Sequence, residues 1–136
     1  MTATARAREL LTVAALAADS KQAEDMVALD VSGPLPLTDI FFIASGRNER
    51  NVQAIAGEIE DRMIEAGVKT IRREGRSEGR WILLDFGDVV AHIFHEEDRT
   101  YYSLERLWKD CPAIPLDVAA PVSAPDPAPN AADSEV

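Results

Sequence analysis

An apolar run at residues 39–44 limits the possible folds more than any other part of the sequence. Apart from Asp39, every residue in the run is apolar, and Ser45-Gly46 then ends it. A strand with one solvated face alternates apolar and polar residues, whereas a strand buried on both faces is apolar throughout. The run therefore predicts a strand in the interior of a parallel or mixed sheet.

Two helices are predicted by apolar residues that recur with helical spacing. The first covers about residues 5–18, and its apolar residues are Ala7, Leu10, Leu11, Ala14 and Ala18. The second carries one stripe, made of Val52, Ile55, Ala56, Ile59 and Met63. Gly67 is predicted as the C′ residue of this second helix. Glu58 and Arg62 are expected to form an i,i+4 pair on its exposed side.

Further strands are predicted at residues 26–31, 68–73, 80–86 and 89–94. Only Gly87-Asp88 separates the last two, and so short a connection predicts an antiparallel hairpin. Asp98 is a candidate N-cap for a third helix, whose apolar side would contain Tyr101, Leu104, Leu107 and Trp108. Helices that alternate with strands before a late hairpin predict an α/β fold in which helices cover a mixed β-sheet.

The length of 136 residues fits one domain, which we place at residues 1–115. Residues 116–136 are rich in Ala and Pro, are acidic, and contain no Lys, Arg or aromatic residue. Such a segment buries too little apolar surface to offset the entropy lost on ordering. We therefore predict a disordered tail after the domain.

We expect a cytoplasmic protein. Residues 10–18 are alanine-rich and bracketed by Glu9 and Asp19, which favours an amphipathic helix over a signal peptide. No run approaches the ~20 apolar residues of a membrane span. The single cysteine, Cys111, rules out an internal disulfide and fits a reducing compartment. A net charge of -10 disfavours free nucleic acid as a partner and favours a basic protein surface, although it also serves solubility.

No catalytic residue, metal site or cofactor is predicted. His92 and His95 are three residues apart on a predicted strand, so their side chains would point to opposite faces, one half-buried and the other exposed. Cys111 has no nearby base that would activate a thiolate. The loop at residues 75–79 lacks the Gly-Lys-Ser/Thr ending of a phosphate loop. Ser45-Gly46 is interpreted as a turn and cap rather than an anion site.

Four aspartates lie near strand ends, where the two-metal site of a transferase could form: Asp30, Asp39, Asp85 and Asp88. Such a site would need a close Asp-x-Asp pair soon after the Gly-Ser turn, but a helix follows Gly46. Asp39 is more simply a turn or capping residue. A metal-dependent nucleotidyltransferase therefore stays as the alternative function.

The pattern of the strand predicted at residues 80–86 indicates a possible protein-binding surface. Alternation places Trp81, Leu83 and Asp85 on one face of the sheet and Ile82, Leu84 and Phe86 on the other. Residues 85–98 contain five acids and no Lys or Arg, so an aromatic anchor with an acidic rim would suit a basic protein. If helices cover both faces, Trp81 belongs to the core instead, and the pattern alone leaves both interpretations open.

A basic group follows the third predicted strand and consists of Arg72, Arg73, Arg76 and Arg80. Contact with nucleic acid is one interpretation of this group. We favour the other, in which the charges protect a sheet edge and a solvated loop.

Several ordered blocks resemble the ribosomal silencing factor family, RsfS, also called Iojap-like proteins. The blocks are Thr38-Asp39-Ile40-Phe41-Phe42-Ile43-Ala44-Ser45, Glu74-Gly75 with Gly79 and Trp81, Leu84-Asp85-Phe86-Gly87-Asp88-Val89-Val90, His92-Ile93-Phe94, and Arg99-Thr100-Tyr101-Tyr102 with Leu104-Glu105-Arg106-Leu107-Trp108. The resemblance covers about residues 5–115. Ile40 and Phe86 stand where the common pattern has Tyr, and the tail lies outside the pattern.

The resemblance implies an α/β fold like that of nucleotidyltransferases but without the catalytic residues. It implies binding to the large ribosomal subunit through its fourteenth protein, a steric block to joining of the small subunit, and repression of translation under nutrient limitation. It also implies a homodimer. On this basis we assign protein binding to Trp81, Leu83, Asp85 and Asp88. An adaptor for some other basic protein is a further alternative.

Overall fold

The computed structural model describes residues 2–35, 37–98 and 110–116. Two helices and five strands follow one another in the order α1 (Ala5–Ser20), β1 (Glu24–Asp30), β2 (Ile40–Gly46), α2 (Glu49–Glu65), β3 (Arg72–Glu74), β4 (Trp81–Asp85) and β5 (Val89–His95). The strands form one sheet in the order β1-β2-β5-β4-β3. Strands β2 and β5 are parallel, and the other neighbours are antiparallel. The predicted α/β architecture with a mixed sheet is confirmed.

The interior strand β2 bears out the prediction made from the apolar run. It lies between β1 and β5, and six of its seven residues are buried, the exception being the half-buried Phe41. The hairpin is confirmed as well, because β4 and β5 pair antiparallel on either side of Gly87, whose φ is 91°. Glycine adopts this left-handed conformation without steric cost, which explains why the tight turn contains one.

Both helices pack on the same face of the sheet. Every apolar residue of the stripe predicted for α2 is buried, and the alanines of α1 lie against the same core as Phe42, Ile82 and Ile93. Thr4 and Asn48 cap the two helices by accepting hydrogen bonds from the amides of Ala7 and Asn51. We call this covered side the inner face. Alternate residues of the strands point to the opposite side, which we call the outer face.

The third strand is shorter and later than predicted. Residues 68–73 were expected to pair, but β3 contains only Arg72–Glu74. Val68 packs against the inner core, the Thr70 hydroxyl binds Glu60, and Ile71 is 71% exposed. The segment before β3 therefore serves tertiary contacts instead of a ladder of hydrogen bonds.

The free side of β1 is covered by a segment that follows the third predicted helix. The amide of Asp30 donates to the carbonyl of Pro112, the amide of Ile114 donates to the carbonyl of Ala28, and Leu29 and Ala113 form an antiparallel bridge. Ile114 is buried in the inner core. Covering an edge in this way removes a template for pairing with other chains.

Two segments fall largely outside the described residues. Residues 96–98 are helical, but residues 99–109, where the third helix is predicted, and residues 117–136 of the predicted tail are not described. Asp98 lies inside the helical turn, and its carboxylate binds Arg80 rather than acting as the predicted N-cap. Within the described residues, no helix has the length and apolar character needed to cross a membrane.

Candidate functional site

The outer face is where the predicted protein-binding residues lie. The burial of β4 alternates as predicted: Trp81, Leu83 and Asp85 are half-buried, whereas Ile82 and Leu84 are fully buried on the inner face. A second, smaller apolar cluster lies on the outer face and contains Leu29, Val31, Ile43 and Phe94. Trp81 packs against that cluster, and α1 and α2 contribute no residue to it. The two described helices therefore leave Trp81 outside the main core.

Aromatic contacts hold Trp81 in place. Its ring centre lies 5.0 Å from that of Phe94, the residue paired with it on β5. Its indole Nε1 donates a hydrogen bond to Nδ1 of His92 at 3.2 Å. The His92 ring in turn meets Phe41 edge-on, with ring centres 4.9 Å apart. Trp81 is thus a half-buried residue with a defined orientation.

His92 is held neutral in this cluster. Burial lowers the pKa of His92 from 6.5 to about 4. Since Nδ1 accepts the hydrogen bond from Trp81, the ring hydrogen is on Nε2, and this atom is buried without a hydrogen-bond partner. Burial of an unpaired donor costs stability. Among the described residues, this buried ring nitrogen on the outer face therefore has no hydrogen-bond partner.

The prediction for the two histidines was right about their directions and wrong about their exposure. His92 lies on the outer face, whereas His95 approaches Glu49 of α2 on the inner side at 3.9 Å. Each residue is only 5% exposed, although one was expected on the surface. The rings of Phe41 and Trp81 pack against His92, and Glu49 of α2 lies beside His95, so side chains on both faces of the sheet contribute to this burial.

Asp85 and Asp88 have different roles at the turn between β4 and β5. Oδ1 of Asp85 accepts a hydrogen bond from the amide of Gly87 at 2.8 Å, which stabilises the turn. Asp88 is exposed, and its carbonyl accepts from the amides of Asp39 and Ile40 at 3.0 Å each. The backbone of Asp88 thus joins the turn to β2 while its carboxylate faces solvent.

Two exposed apolar side chains at the same end of the sheet were not singled out from the sequence. Ile71 is 71% exposed, and its amide donates to the carbonyl of Asp85. Leu37 is 86% exposed and lies two residues before Asp39, whose amide binds Asp88. The sequence could have identified them, because each is a large apolar residue in an irregular segment near an acidic turn. Ile71 thus adds an exposed apolar side chain next to the turn.

The five acids between residues 85 and 98 do not form one rim. Asp88 and Glu96 lie beyond opposite ends of β5, and a strand of this length spans about 20 Å. Glu97 and Asp98 both bind the guanidinium of Arg80, which also reaches Glu49. The hydrogen bonds that Arg80 donates to Asp98 are the main reason why the pKa of Arg80 is raised. The exposed Asp88 and the exposed Glu96 are therefore separated by the length of β5.

The basic group is not a free cationic patch. Arg72 pairs with Glu74, Arg73 and Arg76 pair with Glu60, and Arg80 pairs with Asp98. These pairings agree with the interpretation favoured from the sequence, in which the arginines serve the sheet edge and its loop.

The sequence interpretation did not identify Glu60, which holds the segment around β3 against α2. Its side chain is only 7% exposed and accepts hydrogen bonds from Thr70, Arg73 and Arg76. Burial by itself raises the pKa of Glu60, but these hydrogen bonds and the two arginines lower it on balance. A carboxylate four residues after the buried Ala56, on the apolar side of an amphipathic helix, was the available signal.

The remaining candidate carboxylates have structural partners at the start of the chain. Asp30 accepts from the amide of Ala3 and from Ser32, and Asp39 accepts from the amide of Thr4. Asp39 was expected to be a local turn or capping residue, but its carboxylate instead binds the amide of Thr4, 35 residues away. Cys111 is a half-buried free thiol whose pKa is raised by burial and by nearby carboxylates.

Comparison with known proteins places these features in a family. The family model described as "Ribosomal silencing factor during starvation", RsfS, matches residues 4–136. The chain is 47% identical over 110 residues to the ribosomal silencing factor RsfS of Bacillus subtilis, covering 81% of this chain and 93% of that protein. A crystal structure of a protein from Bacillus halodurans superposes with a TM-score of 0.72 at 45% identity, covering 80% of this chain and 99% of that one.

A more distant relative carries a different name. The mouse protein named "Mitochondrial assembly of ribosomal large subunit protein 1" is 29% identical over 91 residues, which are 65% of this chain and 40% of the mouse protein. The match along nearly the whole chain, the identity to the Bacillus subtilis protein and the shared fold agree with one another. This chain belongs to the RsfS family of ribosomal silencing factors.

Proposed function

We propose that this protein binds the large ribosomal subunit in the cytoplasm and represses translation by blocking the joining of the small subunit. Membership of the RsfS family is the observation that carries the proposal. The name of the mouse relative supports the large subunit as the target. Action by steric exclusion requires binding alone, so the protein needs no catalytic residue.

The outer face and the turn after β4 form the proposed contact surface. Trp81 and Leu83 supply half-buried apolar side chains, and Asp88 supplies an exposed carboxylate at the end of the same hairpin. Interfaces generally combine such an apolar centre with a polar rim, and Tyr, Trp and Arg dominate their binding energy. Ile71 extends the apolar area beside the turn.

Charge supports a basic protein as the direct contact. The chain has a net charge of -10, and the four arginines near the hairpin are already paired with carboxylates. A basic ribosomal protein would be attracted to such a surface, whereas bare phosphate would be repelled. We therefore propose the fourteenth large-subunit ribosomal protein as the partner, as the family resemblance implies.

Co-sedimentation tests the target. The full chain is mixed with purified large subunits, with purified small subunits, and with both at a magnesium concentration that favours joined particles. We expect the protein to travel with large subunits alone and to shift the mixture from joined particles towards free subunits. Unchanged joining at saturating protein would overturn the silencing mechanism, and equal binding to small subunits would overturn the target.

The free protein is proposed to be a homodimer. Analytical ultracentrifugation of the full chain over a range of concentrations tests this directly. A monomer at every concentration would contradict the dimer without affecting the proposed target, because the two measurements are independent.

A further inference from the structure

A small cleft opens on the outer face beside the edge strand β3. It has a volume of about 250 Å³ and is lined by Glu74, Gly75, Trp81 and Leu83. Glu74 and Leu83 are paired neighbours on β3 and β4, so the carboxylate of one and the apolar side chain of the other stand side by side. The cleft has the size of a single large side chain. Trp81 and Leu83 make one part of its wall apolar, and Glu74 makes another part anionic.

Gly75 makes the close approach of the loop to Trp81 possible. Its φ is 78°, and a Cβ at this position would collide with the carbonyl oxygen of Trp81. Any other residue would push the loop away from β4 and change the shape of the cleft. The backbone of Gly75 therefore forms one wall directly against the strand that carries Trp81.

The loop that follows Gly75 is fixed to α2. Arg76 binds the buried carboxylate of Glu60, and the side-chain amide of Gln53 donates to the carbonyls of Arg76 and Ser77 at 3.0 and 3.2 Å. Gly79 lies so close to Glu49 that a Cβ there would be 2.9 Å from the Glu49 carbonyl oxygen. These contacts preorganise the cleft, which reduces the entropy lost when it is filled.

The chemistry of the cleft fits a side chain with an aliphatic stem and a cationic end. Trp81 and Leu83 would contact the stem, and an aromatic ring also attracts a cation. The Glu74 carboxylate is 61% exposed and already accepts a guanidinium, since Nε of Arg72 lies 3.2 Å from its Oε2. Because both partners of that pair are about 60% exposed, the pair contributes little stability and is readily exchanged.

We propose that this cleft receives an arginine or lysine side chain of the ribosomal protein that the outer face contacts, with Glu74 binding the cationic end. The inference rests on the proposed function and assigns Glu74 and Gly75 to its recognition surface. Neither residue belongs to the set assigned from the sequence. Glu74 exchanges its bond with Arg72 for one with the partner.

The isolated full chain tests the cleft without the ribosome. N-acetyl-arginine amide is titrated against the ¹⁵N-labelled protein while the indole Nε1–H signal of Trp81 is followed by NMR. N-acetyl-citrulline amide, which has the same shape without the charge, is the matched probe. We expect a saturable shift with the arginine probe and binding about threefold weaker with citrulline. Equal binding of both probes, or no saturable shift with either, would overturn the proposal.

Two glutamine variants then connect the cleft to the ribosome. E74Q should bind the arginine probe about threefold more weakly and should leave large subunits correspondingly faster. E78Q changes an exposed glutamate of the same loop and should match the wild type in both measurements. If E74Q leaves both measurements unchanged while the wild type still travels with large subunits, the cleft assignment is wrong and the proposed function stands. If the wild type itself does not bind large subunits, the proposed function fails.

Discussion

The indole of Trp81 donates a hydrogen bond to Nδ1 of His92 at 3.2 Å, on the face of the sheet that α1 and α2 leave uncovered. The bond fixes both groups at once. It sets the tautomer of His92, and it limits the rotation of the half-buried Trp81 ring. A residue proposed to anchor a partner is thus oriented by a buried histidine that faces the same side.

Acid is predicted to destabilise the fold through His92. Its pKa is 6.5 when unfolded and about 4 when folded, so the unfolded state binds the proton more tightly. The stabilising effect of a neutral His92 is fully present above pH 6.5 and is lost as the pH falls towards 4. Between pH 7 and pH 5 we expect a loss of about 2 kcal/mol in the free energy of unfolding. Urea melts across this range measure it.

His92→Phe is the matched variant for that measurement. It keeps a ring in the cluster but cannot bind a proton, so the slope of stability between pH 7 and pH 5 should be flatter than in the wild type. Wild type and variant with the same slope would show that His92 does not cause the pH dependence.

Trp81→Ala is predicted to weaken ribosome binding more than it weakens folding. An anchoring Trp contributes ~2–4 kcal/mol, which corresponds to roughly 30- to 1000-fold in affinity. Full loss of a core Trp would cost ~3–5 kcal/mol of stability, and a half-buried Trp81 should cost less. Denaturant melts and dissociation rates from large subunits separate the two effects.

Trp81→Phe, which keeps an aromatic ring without the N–H, should show an intermediate dissociation rate. If Trp81→Ala lowers the free energy of unfolding by ~3–5 kcal/mol, Trp81 belongs to the core instead.

Asp88→Lys is predicted to slow association with the large subunit and to flatten its salt dependence. Asp88 is exposed at the rim, where charges mainly accelerate the encounter and are screened by salt. Asp85→Lys is a poorer test, because Asp85 also holds the amide of Gly87. Stopped-flow binding at several salt concentrations gives the comparison, with Glu78→Lys as a charge-matched control on the neighbouring loop. If Asp88→Lys and Glu78→Lys associate at the same rate, the interface does not include the turn.

Removal of residues 117–136 is predicted to change neither the melting temperature nor ribosome binding, because their composition does not support a packed structure. Removal of residues 112–136 should instead lower the melting temperature by several degrees. It would delete the buried Ile114 and the hydrogen bonds of the segment to β1. Thermal melts of the two truncations against the full chain distinguish these outcomes. A large shift after removal of 117–136 alone would show that the tail is docked.

The sequence was sufficient to predict the features that depend on local periodicity. The run at residues 39–44 indicated the interior strand, the stripe on α2 indicated its buried side, and Gly87-Asp88 indicated the hairpin. The Glu58–Arg62 pair was also predicted and is present at 2.8 Å. Each of these depends on residues within one element or one turn, where spacings of 2 and 3.6 residues determine which side chains share a face.

Only the tertiary structure decided which charged residues form pairs between distant segments and which side chains those segments bury. Glu60 meets Arg76, and Arg80 meets Asp98, across sequence separations of 16 and 18 residues, so composition could show the charges but not their partners. For the same reason the five acids at residues 85–98 do not act together: Asp85 and Asp88 lie at the turn, Glu97 and Asp98 bind Arg80, and Glu96 is exposed beyond the other end of β5. Both histidines became buried because side chains of other elements pack against them, Phe41 and Trp81 against His92 and Glu49 of α2 beside His95, and no local pattern records which elements meet.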